Sequence, residues 1–498
     1  MRTGEAEAVG RLLGTIAFQA TRRAARLHEG VAERVFANVG LGVGPAASPV
    51  RVAHDAMSRT AYRVVGDTLY AVGELGGSLA ESVAESAAHS RAEAAHWPPG
   101  AEVARSARAG GDAGAGSALA EASSLADSPG WGRAIAVLGG LFGDWAAHEV
   151  PALTPCMTVR RRGRVVPQTP EGMAETYPDA SDRVVVFVHG LVETEMWWRR
   201  AGLLHHGDVD EWYGERLEDD LGCTPVKIRY TSGLRVSDNG RDLAELLARL
   251  VEVWPRPVTD LALVGHSMGG LVLRSALAQA GAGTPDAEPW TWLVRHTVTL
   301  GAPHLGAPLE QGVAHAVPVL RRVPETRWLA DVLAARAVGI KDLRHGSLLE
   351  DHWLGIDPDI PGPRPAGATR IPLHDGIHHL VVMSTLARRH DSFLGHLFGD
   401  LLVQPASAVG ESGDEEAWLL PDDQVLRIGG VSHLGLLNNE RVYERLVDWL
   451  RLDREAEATL LATTVTERAG SPTPAHGEPV ADGGNAGEAP APGRLSDS

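Results

Sequence analysis

Apolar positions along the first ninety residues repeat at helical spacing: Val9, Leu12, Leu13, Ile16 and Ala20, then Val50, Ala53, Met57, Ala61, Val64 and Ala71. Residues three and four apart share one helix face, so this pattern predicts a helical region over 1–96. GPAASP at 44–49 interrupts it, and Pro49 suits a helix start. A Gly/Ala/Arg/Asp stretch (PPGAEVARSARAGGDAGAGSA) then reads as part of a flexible linker over 97–130, followed by an amphipathic helix over 131–154. From residue 155 the pattern changes. Short β-rich runs, VVVFVHG (184–190), PVKIRY (225–230), DLALVG (260–265), RHTVTLG (295–301), HHLVVMS (378–384) and QVLRIGG (424–430), alternate with helical stretches such as 239–253 and 270–279. Continuous apolar strands separated by helices predict an α/β fold over 155–455: a mostly parallel sheet covered by helices on both faces. The gap at 302–377, after the sixth strand, reads as a cap or lid insertion, and the Pro/Gly/Ala/Glu-rich tail over 456–498 as largely disordered.

Composition narrows what such a chain can bind. Its 498 residues are 44% hydrophobic and 22% charged, enough to bury a large core, and the net charge of −18 argues against a nucleic-acid partner. One basic run, Arg160, Arg161, Arg162 and Arg164 around Gly163, sits between apolar pairs and predicts the turn of a hairpin. Cys156 and Cys223 have no metal-ligand spacing and suggest no disulfide framework. His374, His378 and His379 open a strand, where i, i+4 spacing does not converge on a metal. The first thirty residues lack the pattern of a signal peptide, and the longest apolar run, 134–143, is about half of what spans a bilayer. The expectation is a cytoplasmic protein with reduced thiols, peripheral contact with a membrane being left open.

The strongest chemical motif is LALVGHSMGGLVL at 261–273. A strand ends at Gly265, Ser267 follows, and a helical run starts at once. Gly265 and Gly269 allow the sharp turn that lifts the serine hydroxyl to a helix N-terminus, the geometry of a nucleophile elbow. Such a serine needs an oxyanion hole. The Met268 N–H supplies one donor, and the Leu191 N–H, in the loop after VVVFVHG, is the candidate second; Gly190 permits close approach there, while His189 orients the loop. In this topology the chain order is serine, acid, histidine. His433, just past the last strand in GGVSHLGLLNN, fits the base. Two aspartates compete for the acid: Asp400, shielded by Leu401–Val403, is favoured over Asp391, because a shielded carboxylate orients an imidazolium best.

The motifs VVVFVHGL, LVGHSMGG, TVTLGAPHLGAP, GDLLVQPASA and SHLGLLNN, in that order, resemble those of lipase-like α/β-hydrolases, nearest to the GPI inositol-deacylase-like group of bacterial serine esterases and lipases. The resemblance covers about 155–452. It implies the α/β-hydrolase fold and cofactor-free ester hydrolysis, with Ser267 as nucleophile, Asp400 as acid and His433 as base. The sequence departs at the acid, where Leu401 stands in place of a second glycine. Trp197, Trp198 and Trp328 are candidates for a pocket wall, and Leu329, Val332, Leu333 and Ile340 for an acyl pocket or for the anchoring of the cap. The expected substrate is an ester of lipid-like character. Acyl transfer through the same triad and a non-catalytic lipid- or partner-binding scaffold are the alternatives. The N-terminal helices are expected to pack on the core, to self-associate, or to touch a membrane surface.

Overall fold

The computed structural model describes residues 4–43, 48–95, 124–208, 210–323, 326–360, 362, 371–374, 376–385 and 420–451. The strands are β1 (Thr158–Arg161), β2 (Arg164–Val165), β3 (Arg183–Val188), β4 (Thr224–Arg229), β5 (Asp260–His266), β6 (Val294–Leu300), β7 (His378–Thr385) and β8 (Val425–Gly429). They form one sheet in the order β2-β1-β4-β3-β5-β6-β7-β8. β4 through β8 run parallel, and β1 pairs antiparallel with both β2 and β4. Arg162 and Gly163, at φ 49° and 80°, make the two-residue turn between β1 and β2.

Helices precede and cover this sheet. They are α1 (Glu5–Val43), α2 (Ser48–Ala95), α3 (Pro129–Glu149), α4 (Pro170–Thr176), α5 (Gly202–His206), α6 (Tyr213–Leu221), α7 (Val236–Val253), α8 (Met268–Gln279), α9 (Pro308–Arg321), α10 (Arg327–Ala334), α11 (Val338–Asp342) and α12, described over 440–451. Successive side chains on a strand point to opposite faces, and the core divides accordingly. Val184, Val186, Val188, Leu261 and Leu263 pack against Leu243 and Leu247 of α7 and Leu271 and Val272 of α8. Val185, Phe187, Ala262 and Val264 pack on the other face against Tyr213 and Leu217 of α6 and Leu446 and Leu450 of α12. Runs buried on both faces explain why these strands read as continuously apolar.

The two N-terminal helices form an antiparallel hairpin. A Cβ at Gly73 would lie 2.5 Å from the Gly14 Cα, so the backbones approach more closely than any side chain allows. Its base is fastened to the rest of the chain by buried polar contacts. Glu5 accepts from the Ser124 hydroxyl (2.6 Å) and the Leu125 N–H (2.9 Å); within the hairpin, Glu81 of α2 accepts from the Gly4 and Ala6 N–H groups at the start of α1. Arg229 on β4 carries the connection inward: it pairs with buried Glu195 and donates to the Ala126 carbonyl.

Between β6 and β7 lies the cap, α9 to α11. The Ala337 N–H donates to the Leu141 carbonyl of α3 (2.7 Å) and the Gly339 N–H to the Gly233 carbonyl (2.9 Å). Asp342 accepts from Arg235 and from the Val236 N–H at the start of α7. Arg26 of α1 forms an ion pair with Asp331 of α10, so the hairpin also touches the cap. Leu329, Val332, Leu333 and Ile340 are half-buried. The proposed acyl pocket and the anchoring of the cap are both compatible with that. The expected linker over 97–130 is described only from Ser124, and the tail over 456–498 lies outside the described residues.

Candidate active site

Parallel pairing of β3 with β5, with Val188 opposite Gly265, brings the carboxyl ends of the two strands side by side. From there the chain leaves β3 toward β4 on one side and β5 toward β6 on the other. Such a switch point opens a crevice above the sheet. The loop 189–193 and Ser267 both lie at this end of the sheet. A Cβ added to Gly190 would lie 3.0 Å from the Ser267 Cβ, and one added to Gly269 would lie 2.6 Å from the His189 carbonyl oxygen. Only glycine permits the second approach, and the first is tight for any side chain.

Ser267 has φ 51° and ψ −123°, outside the regions that suit a side chain, at a cost of about 1–3 kcal/mol. Two bonds hold it there: its N–H donates to the Leu300 carbonyl (2.8 Å) and its carbonyl accepts from the Gly270 N–H (3.0 Å). From Leu261 to Leu273 every other residue is buried and Ser267 alone is half-exposed. Met268 is the first residue of α8, so its N–H lies at the electropositive end of the helix.

His433 opens a short 3₁₀ turn after β8 and is 4% exposed. Gly301, with φ 63°, leaves room for it: a Cβ there would lie 3.0 Å from the imidazole. The His433 ring is 4.9 Å, centroid to centroid, from the ring of His266, the residue preceding Ser267. The fold thus gathers the elbow, the Gly190 loop and the His433 loop at one end of the sheet. Asp400 and Asp391 lie outside the described residues.

His189 accepts a hydrogen bond from the Tyr230 N–H at Nε2 (3.3 Å), which leaves Nδ1 to donate to the Gly190 carbonyl (2.9 Å). It stacks on the Tyr230 ring at 4.5 Å, and burial holds its pKa below the ordinary value. It is a neutral support for the loop. Leu191 is half-buried and packs on the α7–α8 side of the core. Trp197 is half-buried under the Arg200 guanidinium. Trp198 is wholly buried, edge-on to Phe187 at 5.1 Å, and stands in the core rather than at an open wall. The Trp328 side chain lies outside the described residues. Of the histidine triplet, His379 is engaged by Thr297 (2.6 Å) and by the His374 carbonyl (2.9 Å).

Two residues that sequence reasoning missed stand beside these. Glu193 and His266 are both buried, with the carboxylate 2.9 Å from the His266 Nδ1. Burial pushes the Glu193 carboxyl up, but the His266 charge and hydrogen bond and the Gly190 N–H outweigh it, and the net shift is downward. The signals were an acid three residues after His-Gly and a histidine just before the serine; their pairing across 73 residues is visible only in space.

A mostly parallel eight-stranded sheet with an antiparallel pair at one edge, Ser267 at the turn from β5 into α8 and an insertion after β6 define the α/β-hydrolase fold. Within that class, residues 231–367 match the profile of the family described as PGAP1-like alpha/beta domain. The chain is similar to the mature lipase BlEst2 of Bacillus licheniformis, at 19% identity and a TM-score of 0.35, over 54% of this chain and 91% of that one. It is similar to lipase 1 of Pelosinus fermentans at 13% identity and a TM-score of 0.32, over 55% and 98%. Against Aspergillus fumigatus lipase B the values are 14% and 0.29, over 52% of this chain and half of that lipase. No curated protein matches the chain.

Burial depresses the pKa of His189 and His304 and brings that of His379 down to about 4. Folded, these rings stay neutral where the unfolded chain takes up protons, so stability falls as pH drops from 6.5 toward 4. Tm measured by differential scanning calorimetry is expected to be several degrees lower at pH 5 than at pH 7.5. An equal or higher Tm at pH 5 would contradict neutral burial.

Proposed function

We propose that this chain is a serine esterase acting on carboxylic esters of lipid-like substrates. The observation that carries the reading is Ser267: a strained, half-exposed serine between a buried strand and a helix N-terminus, with a glycine loop packed against it. That backbone costs stability and leaves Ser267 half-exposed among buried neighbours. His433 takes the Ser267 proton as Oγ attacks the ester carbonyl carbon. The Leu191 and Met268 N–H groups hold the oxyanion. Collapse expels the alcohol, protonated by His433, and water activated by the same histidine then cleaves the acyl-enzyme. Asp400 orients His433. Transfer of the acyl group to another alcohol would use the same residues, and a non-catalytic scaffold would not need the strain.

Among the described residues no helix is long and apolar enough to cross a membrane. The hairpin nonetheless exposes more than half of Leu13, Ile16, Met57, Val72, Leu75 and Leu79. At on the order of 100 Å² apiece these uncover roughly 600 Å², the upper end for a monomer and close to one side of a standard interface. The segment 5–95 holds nine arginines against ten carboxylates, in a chain of net charge −18. A near-neutral apolar stripe suits a second copy of itself better than an anionic membrane. The proposal is therefore a homodimer through the hairpins.

Three outcomes test these readings. A fluorophosphonate probe is expected to label the wild type and not Ser267→Ala; a folded wild type that never labels supports the scaffold. Asp400→Asn is expected to lower kcat on p-nitrophenyl butyrate by ~10⁴, by analogy with a serine-protease triad; the same loss in Asp391→Asn instead would transfer the acid role to Asp391. Light scattering is expected to give a dimer mass that halves in Leu75→Glu/Leu79→Glu. A wild-type monomer that co-sediments with phosphatidylcholine vesicles would show that lipid covers the stripe.

A further inference from the structure

Glu193 in the loop after β3, His266 at the end of β5 and His433 in the turn after β8 are brought together only by the folded sheet. The Glu193 Oε2 accepts from the Gly190 N–H at 2.7 Å, closing the turn that presents Leu191. The same carboxylate lies 2.9–3.0 Å from the His266 Nδ1, and the His266 Nε2 lies 3.3 Å from the His433 carbonyl oxygen. Both ring nitrogens face oxygen acceptors, so both carry protons, and the ring is a cation paired with a carboxylate. His266 is 0% and Glu193 4% exposed, and the buried Trp198 ring stands edge-on to the imidazole at 6.3 Å. A buried charge pair broken on one side is costly, which makes this linkage stiff.

We propose that Glu193 and His266 are positioning residues that lock the oxyanion loop, the nucleophile elbow and the general-base loop into one rigid unit. This rests on the assignment of Ser267 and His433 above. Neither residue touches substrate. Glu193 acts through Gly190 on the neighbouring Leu191 N–H, and His266 acts through its own backbone on Ser267 and through the His433 carbonyl on the base. An oxyanion donor displaced by a fraction of an ångström loses its stabilisation only in the transition state, so the expected signature is a loss in kcat with KM nearly unchanged.

The test compares Glu193→Ala with Glu193→Gln in the full-length protein. Glutamine can accept from Gly190 with its carbonyl and donate to a neutral His266 with its amide, restoring every hydrogen bond without the charge. Glu193→Ala is expected to lose ~10²- to 10³-fold in kcat on a p-nitrophenyl ester with KM within about twofold, and Glu193→Gln to recover to within about tenfold of wild type. The matching thionoester, whose sulfur gains little from N–H donors, should lose far less in Glu193→Ala. Equal losses on ester and thionoester, or a glutamine variant as impaired as alanine, would overturn the proposal. Should Glu193→Ala fail to fold, His266→Gln with the same ester-to-thionoester comparison decides it. Fluorophosphonate labelling of the wild type at Ser267 is the control: its failure removes the nucleophile assignment itself, whereas labelling with parallel ester and thionoester losses removes only the positioning role.

Discussion

The parallel pairing of β3 with β5 is the constraint on which the rest depends. It sets Val188 beside Gly265 and so determines that the chain leaving β3 meets the chain leaving β5. A shift of register by one residue would turn each strand's inward side chains to the opposite face. Both faces of these strands are buried, in two separate cores, so the register is held from both sides. The strain at Ser267 is tolerable for that reason. The elbow is clamped by the Leu300 carbonyl beneath it and by the end of β3 beside it, and its relaxation would disturb the central strands.

Much of this was legible in the sequence because it is local. The strand–serine–helix transition at 265–269 declares itself by glycine spacing and apolar runs, and the Arg162–Gly163 turn by its two flanking apolar pairs. The position of His433 beside the end of β5 was legible by its order along the chain, just past the last predicted strand. The predicted strand 184–190 was too long by two residues, because His189 and Gly190 already turn away from the sheet. Trp198 shows the opposite difficulty. A tryptophan beside a loop reads equally as pocket or core, and only its packing on Phe187 decides.

The Glu193–His266 pair was not legible for a different reason. Neither residue has a local signature, and each could as well be a solvated side chain. Their meeting follows from the β3–β5 register, which sequence patterning implies only as adjacency. The same holds for the base of the hairpin, where Glu5 and Glu81 look like ordinary acidic helix residues and instead satisfy backbone N–H groups. Polar residues that stitch distant segments are where reading a single sequence stops.

The place of β8 in the sheet has a consequence for the chain's synthesis. Among the described residues it is the edge strand beyond β7, and the His433 loop reaches the elbow region only once β8 has paired; His266 and His433 are 167 residues apart. A nascent chain therefore carries the serine well before the histidine exists. The Tyr213 hydroxyl then donates to the Leu436 carbonyl, and Arg183 to the Leu450 carbonyl, tying the final segment back to the first parallel strand and its helix. On the proposed assignment, the ribosome releases an inert serine, and reactivity arrives with the last piece of the sheet.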